Sequence, residues 1–465
     1  MRKTIPIRPA YAEKFRCIGS ACEDNCCQNW IIPVDQPAYQ KYQNLPPGPL
    51  RTHIDKSILL TPQTEAAPGV GSHPHSAPAN FAQIQLDEFH QCSLLSQHGL
   101  CRIHAECGAG YLSHACATYP RIVHRIGPVE EQALTLSCPE AARLVLLNAD
   151  LLDAFHAEPE EQPEEHAGDA ESQGPDLLRR WFWPIRKSVL TLVLDRTYSL
   201  WQRLFMLGVF CRRLDSIARG ELQRDVSDFL RDFEATVASG ALRTAMETLP
   251  IARPRQLDVV LRLAGLLLHR SHLGPRFIHS IKAFTSGIGN GPEANLGTLT
   301  AHYETAHDDY YVPFFSRHPH MLENYLVNTI VRCQFPFKKE AMKPDVASST
   351  VPPSMEREYA LLIAQFALVK GLLIGVAGHY REGFAPAHVV HTVQAASRHF
   401  EHHPEFLNLA RGLLAESQMD GARGLAILLR NAASQVPRHL ARADGTPTVR
   451  PSPQSPIHVP RPRVT

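Results

Sequence analysis

The sequence has almost no net charge. Its 47 lysines and arginines are balanced by 46 aspartates and glutamates, leaving a formal +1, so nothing in the balance argues for nucleic acid or an anionic membrane as partner. No apolar leader is expected, because Met1-Arg-Lys-Thr-Ile-Pro-Ile-Arg-Pro9 has no continuous hydrophobic stretch of the kind a signal peptide carries. The most apolar run, Leu361 to Ala377, is interrupted by Gln365 and Lys370. It falls short of the ~20 residues a spanning helix needs and reads as a buried helix, with no membrane expected. Long alternating strands and internal repeats are absent too. A cytoplasmic protein is the expectation.

In a reducing compartment the cysteines gain meaning. Nine of the eleven (Cys17, Cys22, Cys26, Cys27, Cys92, Cys101, Cys107, Cys116 and Cys138) precede residue 140. Such a cluster points to metal binding or redox chemistry before it points to disulfides. Within Phe15-Arg-Cys-Ile-Gly-Ser-Ala-Cys-Glu-Asp-Asn-Cys-Cys27 the spacing is x4, then x3, then two adjacent cysteines. Thiolates so close converge only on something that neutralises their repulsion, either zinc or an iron–sulfur cluster. Zinc sites usually use paired Cys-x2-4-Cys knuckles, which this pattern is not. Adjacent Cys26 and Cys27 are expected to point in different directions, so that one of them serves a second cluster or none. Cys138 precedes Pro139 and an apolar helical run, which puts its sulfur at a helix N-cap where the dipole favours thiolate. Four ligands from each half suit one or two cubanes, and the spacing leaves the number open. Cys107 stands aside, and Cys211 and Cys333, alone on apolar helical faces, read as core residues. His98, His104 and His114 lie among the later cysteines, where each reads first as a surface residue and second as a ligand or its support.

With 465 residues the chain is long enough for two or three domains. The expected fold class is mainly α: a small cysteine-rich metal-binding domain over residues 1–155, then a larger α-helical domain over 176–442. Thr61 to Ala79 reads as a flexible insertion, 156–175 as an acidic linker, and 443–465 as a disordered tail rich in proline and arginine. The helical part shows its period plainly. After Ser199, a candidate N-cap, Leu200, Leu204, Leu207, Cys211 and Leu214 share one face. The sets Leu257, Val260, Leu261, Ala264, Leu267, Leu268 and Leu322, Leu326, Ile330, Cys333 do the same.

These residues resemble a family, the bacterial flagellin lysine-N-methylases. The likeness runs from the Phe15–Cys27 motif through Leu100-Cys-Arg-Ile103, Tyr111-Leu-Ser113, Cys116-Ala-Thr-Tyr-Pro-Arg121 and Leu134-Thr-Leu-Ser-Cys-Pro-Glu-Ala-Ala-Arg143. In the second half it continues in Leu322-Glu-Asn-Tyr-Leu-Val-Asn328, Phe335-Pro-Phe337 and Ser397-Arg-His-Phe-Glu-His402. The resemblance implies S-adenosylmethionine-dependent methylation of flagellin lysines by a protein with an iron–sulfur cluster, 4Fe-4S being expected. It carries over Cys17, Cys22, Cys26, Cys27, Cys92, Cys101, Cys116 and Cys138 as metal ligands. The N-terminal piece also resembles a broader group of iron- or zinc-chelating proteins. A non-enzymatic cluster carrier, or a redox-sensing interaction module holding iron–sulfur or zinc, is therefore the alternative.

The cofactor and catalytic sites are less marked. Ser286-Gly-Ile-Gly-Asn-Gly291 is the one glycine-rich candidate for S-adenosylmethionine, but no βαβ pattern surrounds it, so it reads first as a surface loop. The radical Cys-x3-Cys-x2-Cys pattern begins at Cys22 and is broken by Cys27. Methyl transfer to lysine needs the amine deprotonated and the sulfonium faced by aromatic rings and carboxylates. Asp308, Tyr310 and Tyr325 are the best local supply, against a plainer reading as packing and capping residues.

Overall fold

The computed structural model describes residues 5–7, 10–28, 30–61, 81–126, 129–151, 180–269, 273–337, 354–401 and 405–431. The expected acidic linker and terminal tail lie outside these residues, as does the expected insertion apart from Thr61. The fold is mainly α-helical.

The first third alternates short strands and short helices: β1 (Ile5–Ile7), α1 (Ala10–Lys14), β2 (Ile32–Val34), α2 (Gln36–Gln43), α3 (Pro49–Ser57), β3 (Ile58–Leu60), β4 (Ala82–Ile84), α4 (Arg102–Cys107), α5 (His114–Thr118), β5 (Arg121–Ile126), β6 (Val129–Leu134) and α6 (Pro139–Leu146). Among the described residues two three-stranded sheets result. One has order β1-β6-β5, with β1 parallel to β6; the other is the antiparallel β2-β4-β3. Asp35 caps α2 by accepting from the Ala38 amide at 2.9 Å, and its other oxygen takes the His114 amide at 2.6 Å. One aspartate thus fixes α2 and α5 together.

The remainder is helical: α7 (Phe182–Leu194), α8 (Leu200–Ala218), α9 (Val226–Ala238), α10 (Arg243–Glu247), α11 (Arg253–Leu268), α12 (Pro275–Gly287), α13 (Leu296–Thr305), α14 (Val312–Arg317), α15 (His320–Arg332), α16 (Met355–Tyr380), α17 (Pro386–Glu401), α18 (Phe406–Glu416) and α19 (Ala422–Leu429). Ser199 and Gln202 form the capping box that starts α8, and Leu204, Leu207, Cys211 and Leu214 are all buried. Two expected faces need correction. Leu268 is 41% exposed at the end of α11, beyond the stripe that faces the core. Cys333 lies one residue past α15 as its C-cap and is exposed there, so its period leads off the core. Between α13 and α14 the chain widens into one π turn, Ala306–Tyr311. Pro313, just beyond it, has no N–H to give the carbonyl four residues back, and the wider turn accommodates that loss.

Helix α16 is the axis, packed by α8, α11, α12 and α17. By length and composition it could cross a membrane, yet its most apolar window is 100% buried within the protein. Its N-terminus is capped from another helix, since Asp215 of α8 accepts from Ser354 Oγ (2.6 Å) and from the amides of Met355 (2.9 Å) and Glu356 (3.0 Å). Close approach to α12 requires glycine. A Cβ on Gly287 would overlap the Gly375 carbonyl oxygen, and one on Gly375 would sit 2.8 Å from the Phe284 carbonyl oxygen. Because the obstacle is backbone on both sides, Gly287→Ala should cost about 3 kcal/mol or more. A thermal melt indistinguishable from wild type would disprove that contact.

Apolar burial follows two centres. The larger core takes the helices, and with them Tyr11 and Phe15, Leu134 and Leu136, and Ala141 to Leu146. The smaller one gathers Ile32, Val34, Tyr42, Ile54, Ile84, Leu94 and Ile103. The cysteine-bearing third of the chain therefore contributes to both.

Candidate metal centre

The first cysteines sit on a loop whose shape its own side chains set. Gly19, at φ +56, opens a 3-10 turn in which the Cys22 amide donates to the Gly19 carbonyl at 3.1 Å. Asp24 Oδ1 accepts from the Asn25 amide (2.8 Å), Asn25 Oδ1 from the Cys27 amide (2.9 Å), and the Trp30 indole N–H reaches the Cys26 carbonyl at 2.7 Å. These bonds bring the Cys26 and Cys27 sulfurs to 3.8 Å from each other. The expectation that they diverge is not met, because the loop bends at both residues.

The later cysteines come back to this loop. The Cys92 amide donates to the Cys27 carbonyl at 2.7 Å, and isolated bridges pair Leu86 with Cys92 and Leu95 with Cys101. Cys101 and Ser113 precede α4 and α5, which places Cys116 in the first turn of α5. Cys138 is the N-cap of α6, with Pro139 at the first helical position, as its sequence context predicts. Cys107 ends α4, while His98, His104 and His114 are all exposed. Cys211 is fully buried in the large core.

What the sequence reading missed is the clamp around the loop. From α17, Arg398 forms an ion pair with Asp24 at 2.8 Å and donates to the carbonyls of Asn25 and Gln28, the latter at 3.1 Å. Gln394 donates to Asp24 Oδ2 (2.7 Å) and to the Ser137 carbonyl (2.9 Å), and Arg276 of α12 holds its Oε1 at 2.7 Å. Arg143 of α6 pairs with Glu23 at 2.6 Å. Asp24 and Glu23 lie between Cys22 and Cys26, so this charge is spent on seating the thiols. The signal was in view, since Ser397–His402 carries the resemblance, but its partner 370 residues away was not.

The second-half motif does related work. Asn328 acts as a substitute strand edge, accepting from the Leu134 amide (3.3 Å) and Tyr11 hydroxyl (3.0 Å) and donating to the Leu134 carbonyl (2.8 Å). Asn324 donates to the carbonyls of Val145 (2.8 Å) and Asn148 (2.7 Å), closing the C-terminal end of α6. Glu323 takes Arg196 at 2.6 Å and Arg203 at 2.9 Å.

The thiols fit a cation-bearing group. Burial pushes Cys92 and Cys138 up to about 12 and Cys116 to about 11. Cys27 is raised by its hydrogen bond to Cys26, then by burial, then by the charges of Cys26, Cys92 and Cys116. Cys26 is lowered by that same bond from Cys27, and Arg398 adds to the effect. The amides of Asp24, Leu94, Glu140 and Ala141 and the Ser113 hydroxyl favour the thiolates of Cys22, Cys92, Cys138 and Cys116. A bound cation reverses the mutual repulsion that burial intensifies. Among the described residues no three Cys, His or carboxylate side chains close on a single ion. A tetrahedral zinc needs four donors about 2.3 Å from one point.

The catalytic candidates do not share this setting. Asp308 is engaged by the Arg253 guanidinium through two bonds of 3.0 Å and by His307 at 2.6 Å. Tyr310 packs against the large core, and Tyr325 is buried within it, its ring 6.4 Å from Phe366. Ser286–Gly291 is the end of α12, where the Gly289 amide closes on the Ser286 carbonyl at 3.1 Å and Gly289 takes φ +68. That is helix-stop geometry and not a nucleotide-binding loop. No doubly wound parallel sheet occurs among the described residues, so the residues present do not fit a Rossmann-type cofactor site.

Residues 186–428, which include Arg276, Gln394 and Arg398, match the FliB lysine N-methylase C-terminal domain. The chain belongs to the FliB lysine N-methylase family. Membership makes it an enzyme of the lysine N-methyltransferase class. It is 31% identical over 153 residues, 33% of its length, to the flagellar biosynthetic protein FliU of Salmonella muenchen, covering 83% of that protein. The same identity over the same span relates it to the lysine-N-methylases of Salmonella typhimurium and Salmonella choleraesuis, of each of which 35% is covered. No solved structure matches this FliB-family chain.

Proposed function

We propose that this FliB-family chain is an S-adenosylmethionine-dependent protein-lysine N-methyltransferase of the cytoplasm, acting on flagellin and carrying a cysteine-ligated iron–sulfur cluster. The observation that supports it most is the clamp. Arg398, Gln394 and Arg276, all within the family-matched helices, grip the loop that carries Cys22, Cys26 and Cys27. A methylase body whose side chains seat a thiol loop has a use for what the thiols hold. Reducing conditions keep such thiols free for iron. S-adenosylmethionine supplies an electrophilic methyl group, and the protein must present a lysine amine that has lost its proton, which a partly desolvated setting promotes.

The test combines metal content with activity. Protein purified without oxygen and loaded with iron and sulfide is incubated with flagellin and isotopically labelled S-adenosylmethionine. Peptide mass spectrometry should find labelled methyl groups on flagellin lysines. Labelling of no lysine by the fully loaded protein would end the flagellin methylase reading.

A further inference from the structure

We propose that Cys26 and Cys27 form a redox modification site, at which a low-molecular-weight disulfide converts the two thiols into a reversible disulfide between neighbouring residues. Its consequence for metal rests on the metal-binding part of the proposed function. The oxidation itself needs neither metal nor methyl transfer.

Neighbouring side chains ordinarily diverge, and this pair is held together from outside. The two sulfurs share a contact of 3.8 Å, and both are free thiols. Asn25 Oδ1 accepts from the Cys27 amide, the Trp30 indole N–H donates to the Cys26 carbonyl, and the Cys92 amide donates to the Cys27 carbonyl. Arg398 donates to the carbonyls of Asn25 and Gln28, one on each side of the pair. Parting the sulfurs by turning the backbone would break bonds at several of these residues. Exposure then ranks the two thiols. Cys26 is exposed and Cys27 only partly so, which lets a small oxidant meet Cys26 first while Cys27 stands behind it.

The chemistry is thiol–disulfide exchange in two steps. The Cys26 thiolate attacks one sulfur of the small disulfide, whose S–S bond breaks and releases the first small thiolate. Cys27 then attacks the Cys26 sulfur of the mixed disulfide and expels the second. The two protons given up by the protein thiols go to the two departing thiolates, and two electrons pass from the protein to the small disulfide. Sequence adjacency makes the product easy to reverse. Neighbouring Cα atoms are about 3.8 Å apart across a trans peptide, shorter than the span of about 4.4–6.8 Å that an unstrained disulfide prefers. A strained, accessible disulfide is the reducible kind, so an excess of small thiol restores the pair. In the oxidised form neither sulfur has a thiolate to offer a metal, and a metal already bound keeps both thiolates from the oxidant.

The test uses full-length, metal-free protein, reduced, freed of reductant without oxygen and then incubated with oxidised glutathione. Remaining thiols are alkylated, and peptides are analysed by mass spectrometry. The peptide carrying Cys26 and Cys27 should lose two hydrogens with both residues unalkylated, and should regain both thiols on treatment with dithiothreitol. Cys17→Ser/Cys22→Ser, which leaves Cys26 and Cys27 as the cysteines of that peptide, should behave alike. Cys27→Ser should instead accumulate one glutathione on Cys26, because the thiol that expels it is gone. Wild-type protein in which both residues stay open to alkylation would overturn the proposal, as would Cys27 linked to Cys92 or to any cysteine other than Cys26. The oxidised protein should fail to take up iron or zinc until it is reduced, and full uptake by the oxidised form would overturn the consequence for metal. A flagellin assay without labelled lysine leaves every one of these outcomes readable, so this proposal and the methylase reading fail separately.

Discussion

Replacing Arg398 by methionine should release the cysteine loop and cut its metal affinity at least tenfold, while the helices remain folded. Arg398 is 7% exposed and makes three contacts to the loop: the Asp24 carboxylate and the carbonyls of Asn25 and Gln28. Removing one partner of a buried ion pair costs about 3–5 kcal/mol, because the other charge stays behind unpaired. Gln394 at 2.7 Å is then the remaining side-chain donor from α17 to Asp24. The penalty falls on residues 24–28, which have little core of their own, and not on α17, whose other buried side chains stay in place. Since about 1.4 kcal/mol is a factor of ten in affinity, half of that penalty suffices. Arg398→Lys keeps the charge but not the forked reach, and should fall between the two. Metal titration followed optically and a circular-dichroism melt separate the effects. Wild-type metal affinity in Arg398→Met would show that the clamp does not seat the thiols.

The helices were legible because a buried stripe leaves a 3.6-residue period. Ser199 with Leu204, Leu207, Cys211 and Leu214 gave α8 its start and its inner face. Period alone cannot say where a stripe stops being covered, which is why Leu268 and Cys333 emerge at the surface. The N-cap role of Cys138 was equally legible, since Pro139 and the apolar run after it are local signals.

What was not legible depends on partners far apart in the chain. Asp24 and Glu23 look like ordinary acidic residues until Arg398, Gln394 and Arg143 arrive from α17 and α6. Likewise Asn324 and Asn328 give no sign in the sequence that their amides finish α6 and border β6. The direction taken by Cys26 and Cys27 depends on bends fixed by Asp24 and Asn25, and spacing does not encode them. The glycines of Ser286–Gly291 could have served an S-adenosylmethionine loop or a plain surface turn, and the absence of a βαβ pattern around them is the local sign that separates the two.

Lys370 is the residue whose replacement should change pH behaviour most. In the sequence it only interrupts an apolar run; in the structure it lies fully inside α16, donating to the Leu429 carbonyl at 2.6 Å and to Asn431 Oδ1. Burial, followed by the charge of Arg253, lowers it from 10.5 to about 7. The unfolded chain therefore holds a proton between pH 7 and 10.5 that the folded chain has released, so stability rises with pH across that window. Over that window of about 3.5 pH units the gain is at most about 5 kcal/mol, at about 1.36 kcal/mol per unit. His307 works in the same direction lower down: burial and the Lys370 charge depress it to about 4, adding stability as pH rises from 4 to 6.5. Lys370→Met removes the higher window. At pH 10 the variant loses an uncharged amine that bonds two acceptors, and should be less stable by about 1–3 kcal/mol. At pH 6 it also escapes the cost of burying a charge, so the two proteins should differ little, or the variant should be the more stable. Denaturant unfolding at pH 6, 8 and 10 would reveal the crossing. Parallel stability curves for the two proteins would show that Lys370 keeps an ordinary affinity for its proton and that α16 carries a buried cation at neutral pH.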